Sequence, residues 1–142
     1  METTIYICGT EVTLKVLRRW KSDTAVGFEG MRWHYRIKAQ FDGKEIIYTF
    51  HGSQSDFDNR RDMDENGLIE SFFLHLNDAL AYCQNPIEQE FFNCFGYKYY
   101  EAKSRKMGKN AFNACENAYN TLGFTEEKLC EWTSYLTTTY NF

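Results

Sequence analysis

Two hydrophobic periods divide the chain. Between Ile5 and Phe50 apolar residues recur at every second position, and from Asp64 onward they recur at every third and fourth. The first spacing is that of a strand buried on one face, the second that of a helix with one apolar stripe. Ile5 and Ile7 lead across Gly9-Thr10, read as a turn, to Val12, Leu14 and Val16 on one face, with Thr13, Lys15 and Leu17 on the other. This predicts a first hairpin. Trp33, Tyr35, Ile37, Ala39 and Phe41 then alternate up to Asp42-Gly43 and are followed by Ile46, Tyr48 and Phe50. Asp-Gly between alternating runs is the signal of a two-residue type I′ loop. With that loop, Ala39 faces Ile46, Ile37 faces Tyr48 and Tyr35 faces Phe50 on an apolar side. Arg36, Lys38, Gln40, Glu45 and Thr49 form the opposite side, which meets water or a partner.

Beyond Asp64, the positions Leu68, Ile69, Phe72, Phe73, Leu76, Leu80 and Cys83 share one stripe of a helix of about five turns, wide enough to cover the sheet. Asn85-Pro86 offers a cap and a first-turn proline for a short second helix, with Ile87, Phe91, Phe92 and Phe95 inward and Gly96 as its stop. A third helix is predicted from about Tyr100 to Leu122, burying Met107, Ala111, Ala114, Cys115, Ala118 and Leu122 and ending at Gly123. Thr125 caps a fourth, with Glu126 and Glu127 at the positive end of its dipole and Leu129, Trp132 and Leu136 inward. Strands first and helices after is the α+β order. The expectation is one domain over 1–142: an N-terminal antiparallel β-meander of about four strands in 1–51, then about four helices in 64–142 packing on one sheet face. Gly52 to Asn66 is the long polar connection between them.

Composition narrows the function classes. A chain of 142 residues buries enough surface to fold without a disulfide or structural metal. Its 16 Lys and Arg against 20 Asp and Glu exclude a general nucleic-acid coating protein, while leaving room for a local basic patch. Cys8, Cys83, Cys94, Cys115 and Cys130 are odd in number and widely spaced, so they read as reduced thiols rather than zinc ligands or a disulfide framework. The start, Met-Glu-Thr-Thr-Ile-Tyr, lacks the basic and apolar regions of a signal peptide, and no apolar run is long enough to span a bilayer. The expected location is cytoplasmic.

At Phe50-His51-Gly52-Ser53, Phe95-Gly96-Tyr97, Ser104-Arg105-Lys106 and Ala114-Cys115, the sequence resembles small phage and prophage proteins of Gram-positive bacteria. The resemblance runs over residues 46 to 122, and Tyr99 and Tyr100 stand where acidic residues are expected after the Gly-Tyr step. It implies a protein of the bacterial host cell that antagonises a host defence, such as a CRISPR effector or a nucleotide-signalling system.

Three constellations could carry chemistry. Asp62-Met63-Asp64-Glu65-Asn66-Gly67, with Ile69 beyond, matches the first half of a calcium-binding EF-hand loop, but the twelfth position is Phe73 and no bidentate Glu stands there. Helix capping by Asp64, with Glu65 complementing the dipole, is the simpler reading, and no metal or cofactor is assigned. The acidic loop, Asp56, Phe57, Asp58, Asp62, Asp64 and Glu65, together with Arg36 and Lys38 of the hairpin, forms a candidate protein-docking surface. Its carboxylates could imitate phosphates to a basic groove. Tyr97, Tyr99, Tyr100, Lys103, Arg105, Lys106 and Lys109 mix cations with rings, the combination that holds a nucleotide or a single strand. His34 and His51 should lie near each other across the hairpin, and His75 stands apart on the first helix. No nucleophile with its base can be read from the order of residues. The leading expectation is a non-enzymatic phage-encoded inhibitor that binds a host effector. The alternatives are a sponge for a nucleotide signal and a nucleic-acid-binding accessory protein. The aromatic content of 18% leaves apolar surface for a homodimer as a further partner.

Overall fold

The computed structural model describes residues 1–23, 31–51, 63–84 and 113–142. Strands β1 (Glu2–Ile7), β2 (Thr10–Asp23), β3 (Met31–Phe41) and β4 (Lys44–His51) form one sheet in the order β1-β2-β3-β4, every neighbour antiparallel. This is the meander that the alternation requires. Helix α1 spans Glu65–Gln84, α2 covers 113–122, and α3 spans Glu126–Tyr140. The described residues thus hold three helices where four were expected; the short one expected over 85–96 lies outside them. The class is α+β.

The β3–β4 hairpin turns at Asp42-Gly43, both with positive φ of 51° and 70°, as a type I′ loop demands. Ala39 pairs with Ile46, Ile37 with Tyr48, Tyr35 with Phe50, and His34 with His51. The first hairpin differs by one residue from the alternation reading. Its loop is Cys8-Gly9, at φ 51° and 81°, and Thr10 already pairs with Ile7. A type I′ loop needs positive φ at both central positions, which a β-branched threonine resists, so the turn falls one residue earlier.

Strand β2 carries a β-bulge. Val16 pairs with Ile37, but the next pair on β3, Arg36, meets Arg18, so Leu17 is the extra residue. Opposed residues share a face of the sheet, and the bulge therefore inverts the alternation of β2. Without it Arg18 would lie on the inner side with Val16. With it, Arg18 and Trp20 take the outer side, and Arg19 and Lys21 take the inner register opposite Tyr35 and Trp33.

Two compact units make up the chain, Met1–Leu74 with Tyr135–Phe142, and His75–Ser134. In the first, Ile5, Ile7, Val12, Leu14, Ile37, Ala39, Phe41, Ile46 and Tyr48 are buried on the inner sheet face, along with Leu68, Ile69 and Phe72 of α1. The ring of Phe72 lies 6.2 Å from that of Phe41 and 6.3 Å from that of Tyr48. Burying a side chain of this size contributes about 1.5–3 kcal/mol, so this contact is a principal tie between helix and sheet. A polar chain threads the same contact. Ser71 Oγ donates to the Leu68 carbonyl at 2.6 Å, which leaves its oxygen to accept from the Tyr48 hydroxyl at 2.9 Å. Burial pushes the Tyr48 phenol well above its ordinary pKa, partly offset by the Ser71 bond.

In the second unit Cys115, Ala118, Leu122, Leu129 and Trp132 are buried. Phe124 meets Trp132 edge to face at 4.9 Å, and the Lys128 ammonium lies 4.2 Å from the Phe124 ring. Thr125 caps α3 as its sequence position requires, its Oγ1 accepting from Lys128 N at 3.2 Å. Gly123, at φ 65°, closes α2 by donating from its N–H to the Tyr119 carbonyl.

Candidate functional site

The outer face of the sheet gathers a set of side chains that the core does not need. Read across the strands, one row holds Glu2, Lys15, Lys38 and Ile47; the next holds Arg18, Arg36 and Thr49; the third holds Trp20 and His34. Lys15 is directly opposed to Lys38, and Arg18 to Arg36. Side chains so placed have Cβ atoms roughly 4.5–5.5 Å apart, and like charges there are destabilising. Lys38 forms an ion pair with the Glu45 carboxylate at 3.4 Å and Glu2 stands opposite Lys15 in the ladder; no ion pair joins Lys15, Arg18 or Arg36 to a carboxylate among the described residues. All three are exposed.

The third row is aromatic. Trp20 and His34 stack with ring centroids 5.4 Å apart and planes at 24°. The Arg18 guanidinium lies 5.1 Å from the Trp20 centroid, an attraction of about 0.5–1 kcal/mol at an open site, so the cation is held against the ring rather than waving in solvent. His34 is 4% exposed, Trp20 half-buried. Towards the hairpin loops the face changes sign, with Glu11 opposite Tyr6, and Glu45 opposite Gln40. The outer surface is therefore ordered from acidic at the loops, through cationic in the middle, to aromatic beyond. Exposed Tyr6, Leu17 and Ile47 add apolar area to it.

Of the residues singled out from sequence, Arg36 and Lys38 stand in the centre of this face. Asp64 caps α1: its Oδ1 accepts from Gly67 N at 2.7 Å, and its carbonyl accepts from Leu68 N. Glu65 accepts from the Thr3 hydroxyl at 2.7 Å, joining the first turn of α1 to the edge strand. Both carboxylates are thus engaged locally. Asp56, Phe57, Asp58 and Asp62 lie outside the described residues, as do Tyr97, Tyr99, Tyr100, Lys103, Arg105, Lys106 and Lys109. Sequence reasoning missed Arg18 and Trp20, because the run after Val16 shows no sign of where β2 changes phase, and missed the pairing of Lys15 with Lys38, because no two-residue loop signal sets the register of β2 against β3.

Among the described residues, burial shifts several titratable groups outside this face. Burial lifts the Cys115 thiol to about 12, with the Asp78 charge adding to it. Burial also raises Cys83, with Glu126 in the same direction and a Tyr119 hydrogen bond against it. Such thiols stay protonated and are poor nucleophiles. Burial holds His75 at about 4, so its ring is neutral at physiological pH. Asp78 keeps part of its surface open, yet the protein packed around its carboxyl raises it to about 6. Among the described residues, no group of three or more His, Cys, Asp or Glu is arranged to hold a metal ion, and no helix is long and apolar enough to cross a membrane. Set against protein-family models, curated proteins and solved structures, the chain shows no match.

Proposed function

We propose that this chain is a non-enzymatic binding protein that works by contact through the outer face of its sheet. Its role, in the setting implied by the resemblance to small phage proteins, is to inhibit a component of a bacterial anti-phage defence in the host cytoplasm. The observation that supports this reading is the pair of like-charged ladder positions, Lys15 with Lys38 and Arg18 with Arg36. Repulsion of this kind lowers stability, and a partner of opposite charge converts it into attraction. The neighbouring Trp20 ring, half-buried and stacked on the buried His34, gives that partner a rigid edge to meet.

The test is phage plating on defence-proficient bacteria that express either the wild-type chain or the Arg18→Gln/Arg36→Gln variant. The wild type should restore plating, and the variant, equally abundant and folded, should not. Equal restoration by both would remove the sheet face from the function, and no restoration by either would remove the inhibitor role.

A further inference from the structure

We infer that the outer sheet face binds the phosphate backbone of a single-stranded nucleic acid, with bases meeting the open part of the Trp20 ring, which the buried His34 backs. The inference rests on the docking reading above and names its partner. Three features of the face favour this chemistry over an acidic polypeptide. The first is charge density. Strands lie about 4.8 Å apart and side chains on one face repeat about every 6.6 Å along a strand, so Lys15, Lys38, Arg18 and Arg36 occupy one compact block. A strand with a charge on every nucleotide presents phosphates to such a block continuously, while being sensitive to the total number engaged.

The second is the choice of cation. Arg18 and Arg36 stand side by side, and the planar fork of each guanidinium matches two phosphate oxygens at once. The third is the order of the rows. Cations followed directly by a ring stack on the same face reproduce the arrangement of backbone and base in a single strand. An acidic peptide has no counterpart for the rings. The acidic end, with Glu11 and Glu45, repels the strand and confines it to the cationic and aromatic rows. The formal charge of −4 has the same effect on the scale of the whole chain, since it disfavours phosphate everywhere except at local basic patches.

The experiment measures fluorescence anisotropy of a labelled single-stranded oligonucleotide of mixed sequence, as DNA and as RNA, titrated with the full chain at several salt concentrations. Labelled polyglutamate serves as the competing polyanion. With four cations engaged, affinity for the oligonucleotide should fall about 50-fold between ~50 and ~200 mM salt. In Arg18→Gln/Arg36→Gln, with two engaged, it should fall only about 7-fold. Thermal melting of the variant should match or exceed that of the wild type. Oligonucleotide binding that the variant leaves unchanged, in strength and in salt dependence, overturns the inference by locating the site elsewhere. Binding of polyglutamate alone, lost in the variant, overturns the inference and leaves the docking reading standing. Binding of neither polyanion, with plating restored by the wild type and not by the variant, has that same meaning, and without that restoration both readings fall.

Discussion

Arg36→Glu should stabilise the protein while abolishing its docking face. Arg36 is directly opposed to Arg18 and carries no ion pair among the described residues, so the native arrangement holds two exposed guanidinium groups side by side. If the charged ends stand about 6 Å apart, the Coulomb repulsion in water is about 0.7 kcal/mol before screening. A Debye length near 8 Å at physiological ionic strength reduces it to about 0.3 kcal/mol. The carboxylate reverses the sign as well as removing the repulsion, which doubles the change, and ordering of the two side chains takes part of it back. The expected gain is about 0.5–1 kcal/mol at low salt, within the range measured for cross-strand charge pairs, and close to zero at ~1 M salt. Urea unfolding at the two salt concentrations reads this as a shift in midpoint at constant slope. Arg36→Gln removes only the repulsion and should show about half the gain. A loss of stability at low salt would refute the reasoning, and so would a gain that persists at high salt. Exposure of Arg36 rules out a packing explanation for either result.

Two further outcomes test the interior. Ser71→Ala removes the acceptor of the buried Tyr48 hydroxyl and should cost about 1–3 kcal/mol, whereas Ser71→Ala with Tyr48→Phe removes both polar groups and should be less destabilised than Ser71→Ala alone, as a double-mutant cycle in urea will show. His75 and Asp78 titrate in opposition. Depression of His75 to about 4 makes stability rise as pH climbs towards 6.5, and elevation of Asp78 to about 6 makes it fall as pH climbs from about 4. Asp78→Asn should therefore leave the His75 slope exposed, so that the variant loses stability between pH ~6.5 and ~4 more steeply than the wild type. Superimposable urea midpoints across that pH window would contradict it.

What was legible in the sequence followed the range of the interactions. The β3–β4 register needed only alternation and the Asp-Gly loop, both within a few residues, and every pair through Tyr35 and Phe50 follows from them. The caps of α1 and α3 were legible for the same reason, since Asp64 and Thr125 act on N–H groups three residues away. The bond from Thr3 to Glu65 crosses 62 positions and has no local signature. The candidate site divides in the same way. Arg36 and Lys38 follow from the hairpin, but Arg18 reaches them only through the bulge at Leu17, a backbone irregularity that no residue type announces. Strict alternation assigns Arg18 and Trp20 to the inner face with Val16, and Arg19 and Lys21 would take their places on the outer side.

That bulge also makes the composition of the outer face a matter of phase. Strand β2 is written in two frames: Val12, Leu14 and Val16 face inward on even numbers, and after Leu17 the inward register passes to Arg19 and Lys21 on odd numbers. A lineage that lost Leu17 alone would pass from Val16 straight to Arg18 in a regular ladder, and Arg18 and Trp20 would keep their places opposite Arg36 and His34. The bulge therefore acts as slack of one residue: a lost codon is absorbed with the block of cation and ring in place, whereas an added codon, with the bulge still one residue wide, would turn Arg18 and Trp20 inward together.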